Sequence, residues 1–290
     1  MHITNLHTHT IYCDGKNSPE EMVLAALEKN FHSIGISSHG PVDEETDWNI
    51  KKDKIEEYIE EVTALKYKYK DKINVFLGME MDYIPGIGFS DISRSLINRL
   101  DYYIGSVHYL GKLKNGSMWT VDYTMEELIK GIEESFQGNI RKAVETYYET
   151  ISEMAYKFQP PIIGHFDLFK KNNKNNILFN ENEPWYIEAV ENCLGIIKNT
   201  SSAIEINTGG IARGFTKEQY PSTFILELIR EINIPVIINT DAHSVEGLDC
   251  GLNEMYMLLN KLGFESLTYL TKDGFKMQNL NVSGEINKRL

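Results

Sequence analysis

The chain has 290 residues, with 29 basic against 42 acidic side chains and a formal net charge of −13. This length fits one large domain or two modest ones, and a hydrophobic fraction of 42% is enough for a substantial core. The sequence has no apolar run of about 18 residues or more, which excludes a hydrophobic membrane-spanning helix. Its acidic balance, without a basic tract, argues against broad binding to nucleic-acid backbones.

The first residues and the cysteines favour a cytoplasmic protein. The start, MHITNLHTHT, has neither the basic nor the apolar region of a secretory signal. The three cysteines, Cys13, Cys193 and Cys250, are isolated and match no zinc-knuckle spacing. We therefore expect them to be reduced thiols.

Short β-rich runs alternate with amphipathic helical patterns along the chain. The candidate strands are 2–6, 33–38, 74–79, 102–107, 161–164, 203–206 and 235–239, with an eighth near 267–270. Helical patterns begin at Ser18 and Ser222 and cover 51–70 and 184–198. Seven β-to-α alternations predict a parallel sheet. At this length a closed β/α barrel fits better than an open sheet, in one domain that covers residues 1–290.

Side chains that bind metals follow most of the predicted strands. In chain order they are His7, His9, Asp14, His39, Glu80, His108, His165, Asp241 and His243. In β/α barrels the carboxyl ends of the strands share one rim, where the chemistry takes place. Any one of these histidines alone is more typical of a hydrogen-bonded core residue. Together they indicate a metal centre, because burying so many ionisable groups on one rim without cations would be costly.

The order of these residues resembles the polymerase and histidinol phosphatase (PHP) family over residues 1 to about 250. An H-x-H pair is followed by an Asp-Gly loop, a single His, a Glu, two more His and a D-x-H pair, so all nine family ligand positions carry competent residues. The segments CDG, GSVHYL, GHFDLFKK and EINTGG…YPS are similar to the histidinol-phosphatase branch.

The resemblance implies a single distorted (β/α)7 barrel with a metal cleft at the carboxyl ends of its strands. The cleft would hold three divalent ions, which could be zinc, iron or manganese. By this resemblance the first ion is held by His7, His9, Glu80 and Asp241, the second by Glu80, His108 and His165, and the third by Asp14, His39 and His243. Glu80 would bridge the first two ions.

The implied activity is that of a histidinol-phosphatase, a hydrolase of histidine biosynthesis that converts L-histidinol phosphate to L-histidinol and phosphate. A metal-bridging hydroxide would attack phosphorus in line. Besides Glu80, we expect catalytic roles for Asp241 and Arg213. Either Asp241 or a metal-bound water could protonate the leaving alkoxide, and the Arg213 guanidinium can bind phosphate through two hydrogen bonds. Lys170 or Lys171 could assist in substrate binding.

Further candidates lie around these residues. Asp82 and Asp167 could orient ligand imidazoles, and the loop 43–48 (DEETDW) offers carboxylates and an aromatic ring for the ammonium and imidazole of histidinol. Cys13 is interpreted as a packing residue.

Two alternative functions stay open. One is a PHP phosphodiesterase or nucleotide phosphatase, although the lack of a basic stripe disfavours a nucleic-acid substrate. The other is a metal-stabilised binding module without catalysis, which missing ligands would favour, and none is missing. We expect a small phosphomonoester as the partner, and neither nucleic acid nor membrane. The sequence predicts no oligomeric state.

Overall fold

The computed structural model describes residues 2–44 and 46–280. Glu45 of the loop 43–48 and the two ends of the predicted domain, residues 1 and 281–290, lie outside the described residues. The strands are β1 (Thr4–Asn5), β2 (Ser33–Ile36), β3 (Asn74–Leu77), β4 (Glu80–Asp82), β5 (Ile104–Ser106), β6 (Tyr109–Lys112), β7 (Met118–Thr120), β8 (Ile162–Ile163), β9 (Ala203–Asn207), β10 (Val236–Asn239), β11 (Ser266–Thr271) and β12 (Gly274–Asn279).

Helices separate most of the parallel strands, as the alternating pattern predicts. They are α1 (Pro19–Glu28), α2 (Ile55–Lys68), α3 (Asp91–Leu96), α4 (Met125–Phe136), α5 (Ile140–Phe158), α6 (Pro184–Ile197), α7 (Gly209–Ala212), α8 (Thr223–Glu231) and α9 (Leu252–Leu262). Helix α1 begins at the predicted Ser18, whose side chain accepts a hydrogen bond from the Glu21 amide in a capping box. None of the described helices is long and apolar enough to cross a bilayer.

The parallel strands form two sheets. One has the order β1-β2-β3 and the other β10-β9-β8-β5-β4, and every pair in them is parallel. Two antiparallel hairpins, β6-β7 and β11-β12, stand apart from them. The run predicted as an eighth strand therefore pairs with β12 and does not extend a parallel sheet.

The two sheets meet at two places, which we call the seams. At the first seam His39 forms a single parallel bridge with Glu80, and at the second Thr8 forms one with Ala242. The fold is thus α/β with parallel sheets, as predicted. The ladder across the described strands is not continuous, so the predicted closed barrel is not formed as one sheet.

A small apolar cluster lies between the strands. It takes Leu6, Phe76, Tyr102, Ile104, Ile162, Ala203, Ile237 and Leu270 from β-segments of both sheets and from β11. The Tyr102 hydroxyl donates a hydrogen bond to the Leu6 carbonyl at its centre. A Cβ at Gly35 would lie 2.1 Å from that hydroxyl oxygen, so glycine is required there. The polar carboxyl ends of the parallel strands lie outside this apolar cluster.

Candidate metal centre

Six of the eight histidines lie together with three carboxylates at the carboxyl ends of the parallel strands. Three groups place their ligand atoms within 4.8 Å of one another: His9, Asp14, His39 and His243; His7, His9 and Asp241; and His39, Glu80 and His108. All nine residues proposed from the sequence are thus brought to one place. The other two histidines, His2 and His32, contact each other elsewhere.

The H-x-H pair, His7 and His9, follows β1, and the D-x-H pair, Asp241 and His243, follows β10. The His9 amide donates to the Ala242 carbonyl at 2.8 Å, and the Ala242 amide donates to the His7 carbonyl at 3.1 Å. Because alternate residues of extended chain face the same side, both imidazoles point into the cluster, where neither is exposed. Asp241 adopts a positive φ of 50°, a conformation that costs a non-glycine residue free energy and is concentrated at functional sites.

Glu80 lies at the centre and is 1% exposed. Its Oε1 lies 2.9 Å from His165 Nε2 and accepts a hydrogen bond from Ser106 Oγ at 2.6 Å. Its Oε2 lies 2.9 Å from His39 Nδ1 and 3.1 Å from His7 Nε2. The two oxygens of one carboxylate thus face two different sets of imidazoles, which is the geometry that a bridging ligand needs.

Five buried atoms of the clustered side chains have no hydrogen-bond partner among the described residues. They are His7 Nε2, His9 Nε2, His39 Nδ1, His165 Nδ1 and Glu80 Oε2. Leaving a buried polar atom unpaired costs about 1–3 kcal/mol. The first three nitrogens lie 2.9–3.5 Å from Glu80 Oε2, and imidazole nitrogens mixed with carboxylate oxygens suit zinc, iron or manganese. The side chains therefore fit divalent ions at this position.

The remaining ligand candidates lie on the more open side. His243 Nε2 is 3.2 Å from Asp14 Oδ2, and His39 Nε2 is 3.8 Å from Asp14 Oδ1. Asp241 Oδ1 is 3.0 Å from His9 Nε2. Asp14, His39 and His243 thus lie together, with His9 beside them. This set is not separate from the others, because His39 approaches Glu80 as closely as His165 does.

Neighbouring charges control protonation in the cluster. Burial opposes ionisation of Glu80, but His7, His39 and His108 outweigh it and hold the Glu80 pKa well below its usual value. Burial would lower the pKa of His108, yet the Asp82 and Glu80 carboxylates raise it to about 9. Burial, together with His243 and His39, lowers the pKa of His9 to about 3. Without metal, the cluster therefore balances buried carboxylates with protonated imidazoles.

The expected orienting residues have different positions. Asp82 Oδ1 lies 2.6 Å from His108 Nδ1, in the position of a partner that orients the ring. Asp167 instead accepts a hydrogen bond from the Ser222 amide at 2.8 Å, next to the start of α8. Cys13, expected only to pack, has its Sγ 3.5 Å from His9 Nδ1. Burial raises the pKa of Cys13, which keeps it a thiol.

Sequence reasoning missed Glu205. This residue is fully buried in β9, and its Oε1 lies 2.7 Å from His7 Nδ1. The signal was present, since Glu205 is an acidic residue inside an otherwise apolar predicted strand, and such a residue needs buried partners.

A cavity of about 300 Å³ opens onto the metal-ligand cluster. Arg213 lines it and donates from Nη2 to Asp241 Oδ2 at 2.8 Å and from Nη1 to the Asp241 carbonyl at 2.7 Å. Lys170 does not line the cavity, because its ammonium is buried and donates to the Gln219 carbonyl at 2.8 Å. Lys171, the other candidate lysine, lines the cavity instead, 3.0 Å from Asp122 Oδ2.

Another part of the cavity lining is aromatic and acidic. Trp48 and Tyr123 are stacked with ring centroids 6.2 Å apart, and Asp122 lies beside them in the lining. Of the loop 43–48, Trp48 reaches the cavity, whereas Asp43 and Asp47 are exposed and do not line it. Asp122 and Tyr123 follow the β6-β7 hairpin, which the sequence pattern did not reveal.

Comparison with known proteins gives a family model and named relatives that cover most of the chain. The family model described as PHP domain matches residues 5–209. A "Probable histidinol-phosphatase" of Schizosaccharomyces pombe is 26% identical over 97% of this chain and 95% of its own length. The histidinol-phosphatase of Bacillus subtilis is 29% identical over 82% of this chain and 92% of its own length.

A solved structure shares the fold. The histidinol phosphate phosphatase of Lactococcus lactis, crystallised with zinc, L-histidinol and phosphate, superposes with a TM-score of 0.71 and is 21% identical. The match covers 94% of this chain and 98% of that one.

Proposed function

The chain belongs to the PHP domain family, and from this we propose that it is a metal-dependent histidinol-phosphatase, which hydrolyses L-histidinol phosphate to L-histidinol and phosphate in histidine biosynthesis. The observation that carries the proposal is that buried imidazole and carboxylate atoms without hydrogen-bond partners lie together next to a cavity. Arg213 and Lys171 line the same cavity. Curated relatives that cover most of the chain bear the name of this activity.

We propose that the nine clustered side chains hold three divalent ions, with Glu80 shared between two of them. Zinc, iron and manganese all suit this mixture of nitrogen and oxygen ligands. Such ions supply a hydroxide nucleophile near neutral pH and Lewis-acid stabilisation of charge. Asp82 and Asp241 then serve by orientation: Asp82 holds the His108 ring, and Asp241 links the cluster to the Arg213 guanidinium.

The substrate phosphate would lie between the cluster and Arg213. The guanidinium already contacts Asp241 and is 32% exposed, so its free donors can reach a phosphoryl oxygen in the cavity. Lys171 lies in the same lining and supplies a second positive charge. Asp241 lies in the cluster as a carboxylate, so it could accept the proton that the attacking water loses and pass it to the leaving alkoxide.

The histidinol end of the substrate would face Trp48, Asp122 and Tyr123 in the cavity lining. Asp122 Oδ2 pairs with Lys171, and Oδ1 accepts no hydrogen bond from the described part of the chain, so it can accept one from the substrate ammonium. Trp48 and Tyr123 offer ring faces for the imidazole, and aromatic pairs of this kind contribute about 0.5–1.5 kcal/mol.

We also propose that the two sheets are arcs of one distorted (β/α)7 barrel in a single domain over residues 1–290. The shared apolar cluster between the strands supports this arrangement. The cytoplasm is the compartment we propose, on the basis of three free cysteines.

The test compares substrates on one metal-loaded preparation. Phosphate release is measured with L-histidinol phosphate, a nucleoside monophosphate and a phosphodiester. We expect the highest kcat/KM for L-histidinol phosphate, and Asp122→Asn should reduce this preference by raising KM for histidinol phosphate alone. Faster cleavage of the diester than of histidinol phosphate would refute the proposal.

A further inference from the structure

Glu205 accepts four hydrogen bonds from two sides of the metal centre. Oε1 faces His7 Nδ1 at 2.7 Å and Asn239 Nδ2 at 2.9 Å. Oε2 accepts from the His165 backbone amide at 2.9 Å and from Asn207 Nδ2 at 2.9 Å. The side chain is fully buried, so water does not compete for these oxygens.

The two asparagines can present only their amino groups to Glu205. Asn239 Oδ1 accepts a hydrogen bond from the Leu6 amide at 2.7 Å, and Asn207 Oδ1 accepts one from the Gly209 amide at 2.8 Å. A backbone amide is always a donor, which fixes the orientation of both side-chain amides. Glu205 is thus surrounded by donors and acts only as an acceptor.

This arrangement determines the tautomer of His7. Since Glu205 accepts at Nδ1, the neutral ring that binds a metal carries its proton on Nδ1 and its lone pair on Nε2. Nε2 is the orphaned atom that points toward Glu80, 3.1 Å from its Oε2. The second oxygen of Glu205 holds the backbone of His165, whose Nε2 contacts the other oxygen of Glu80 at 2.9 Å.

We propose that Glu205 is a positioning residue of the metal centre, which fixes the metal-binding tautomer of His7 and the backbone position of His165 together. The inference rests on the proposed metal centre. Glu80 contacts the Nε2 atoms of His7 and His165 inside the cluster. Glu205 contacts the other nitrogen of the His7 ring and the backbone amide of His165. Residues that orient metal ligands in this way typically contribute 10–100-fold to metal affinity.

Glu205→Gln tests the role with a nearly isosteric change. The new amide must direct its NH₂ toward one of two donor pairs, either His7 with Asn239 or His165 with Asn207. One pair therefore loses its acceptor, whichever way the amide turns. We expect zinc affinity to fall about 10–100-fold at the ions near Glu80, measured by metal content after dialysis against graded zinc buffers. Excess zinc should restore kcat.

Glu227→Gln is the matched control, since Glu227 is exposed on α8 and should leave metal content unchanged. Wild-type affinity in Glu205→Gln, or a lower melting temperature of the metal-free variant with unchanged affinity, would overturn the proposal. If the variant does not fold, long-range ¹H–¹⁵N spectra of zinc-loaded wild-type protein decide: His7 must carry its proton on Nδ1, and the opposite tautomer refutes the role.

These readouts do not use the substrate. A wild-type protein that binds zinc without hydrolysing histidinol phosphate would refute the proposed activity and leave the role of Glu205 open to the same measurement. A wild-type protein that binds no metal would refute both.

Discussion

At the scale of single residues, Glu80 concentrates the negative charge around which the imidazoles are arranged. Its carboxylate contacts His7, His39 and His165 at 2.9–3.1 Å, and these contacts divide between its two oxygens. An amide in its place would be neutral and would turn one NH₂ group toward a set of imidazoles. An ion held by that set would then lose its carboxylate ligand, because an amide NH₂ offers no lone pair to a metal.

Glu80→Gln should therefore remove at least one bound ion and lower kcat by more than about 100-fold. Even changes to residues that only orient metal ligands lower metal affinity or activity by about 10–100-fold. Elemental analysis and phosphate release measure the two effects. Glu191→Gln, an exposed change on α6, serves as the control. Wild-type metal content and turnover in Glu80→Gln would contradict the assignment of this bridge.

Arg213 has two tasks, because it contacts Asp241 and lines the cavity. Arg213→Ala should mainly raise KM for phosphomonoesters, by about 10–100-fold, since a hydrogen bond to a charged group contributes about 1.5–3 kcal/mol. Arg213→Lys should recover only part of this, because an ammonium lacks the planar fork of donors. Steady-state kinetics of the two variants measure these changes in KM. Arg141→Ala, an exposed change on α5, is the control. An unchanged KM in Arg213→Ala would show that Arg213 does not bind the substrate.

All nine clustered side chains could be proposed from the sequence, because each follows a strand whose apolar pattern is clear. Glu205 and Asp122 could not be proposed in the same way. Glu205 lies inside a strand, where its role depends on donors from β1, β8 and β10. Asp122 reaches the cavity only through the β6-β7 hairpin, whose three- and four-residue strands carry little periodicity.

At the scale of elements, the loop after β1 places Asp14 through close backbone contact. A Cβ at Gly15 would lie 2.4 Å from the backbone carbon of His9 and from the backbone nitrogen of Thr10. Backbone atoms cannot move aside as a flexible side chain can, so glycine is required at this position. The close approach keeps Asp14 near His243.

Gly15→Ala should displace this loop and lower metal occupancy at the Asp14 group, while the ions near Glu80 stay bound. Metal content per chain and the melting temperature measure the effect. Gly195→Ala is the matched control, since a Cβ there meets nothing within 4 Å on α6 and should be neutral or stabilise by up to about 1 kcal/mol. Full occupancy at all sites in Gly15→Ala would show that the loop adapts.

The parallel strands and their helices could be predicted because runs of apolar residues alternate with amphipathic patterns. The break between the two sheets could not be predicted, because it depends on where side-chain hydrogen bonds replace those of a regular backbone ladder. At Asn239, for example, the side chain and not the backbone receives the Leu6 amide. A side-chain acceptor in place of a backbone acceptor does not change the pattern of apolar residues, so the sequence does not reveal it.

At the scale of the whole molecule, the acidic excess and an anionic substrate are compatible. The net charge of −13 is spread over the chain, whereas ions bound at the cluster would set the local sign of the potential. Arg213 and Lys171 add positive charge on the same wall. The global charge therefore disfavours a long polyanionic partner without opposing a small phosphate.

Metal removal should lower stability as well as activity. An ion present at about 1,000 times its Kd stabilises the folded state by about 4 kcal/mol, so a chelator should lower the melting temperature by roughly 10 °C. Calorimetry with and without chelator, followed by added zinc, measures the change. A melting temperature that does not respond to chelator or zinc would contradict bound metal.

The two seams have a consequence for assembly. Each of the three ligand groups combines residues that follow β1 or β2 in one sheet with residues of the other sheet. Bound ions would therefore cross-link the sheets where the backbone ladder is interrupted, and would close loops that span most of the chain. Two of the three groups need Asp241 or His243, whereas the group of His39, Glu80 and His108 does not. During synthesis, the first two groups would be complete only after residues 241–243 have left the ribosome, so those ions would bind after most of the chain has been made.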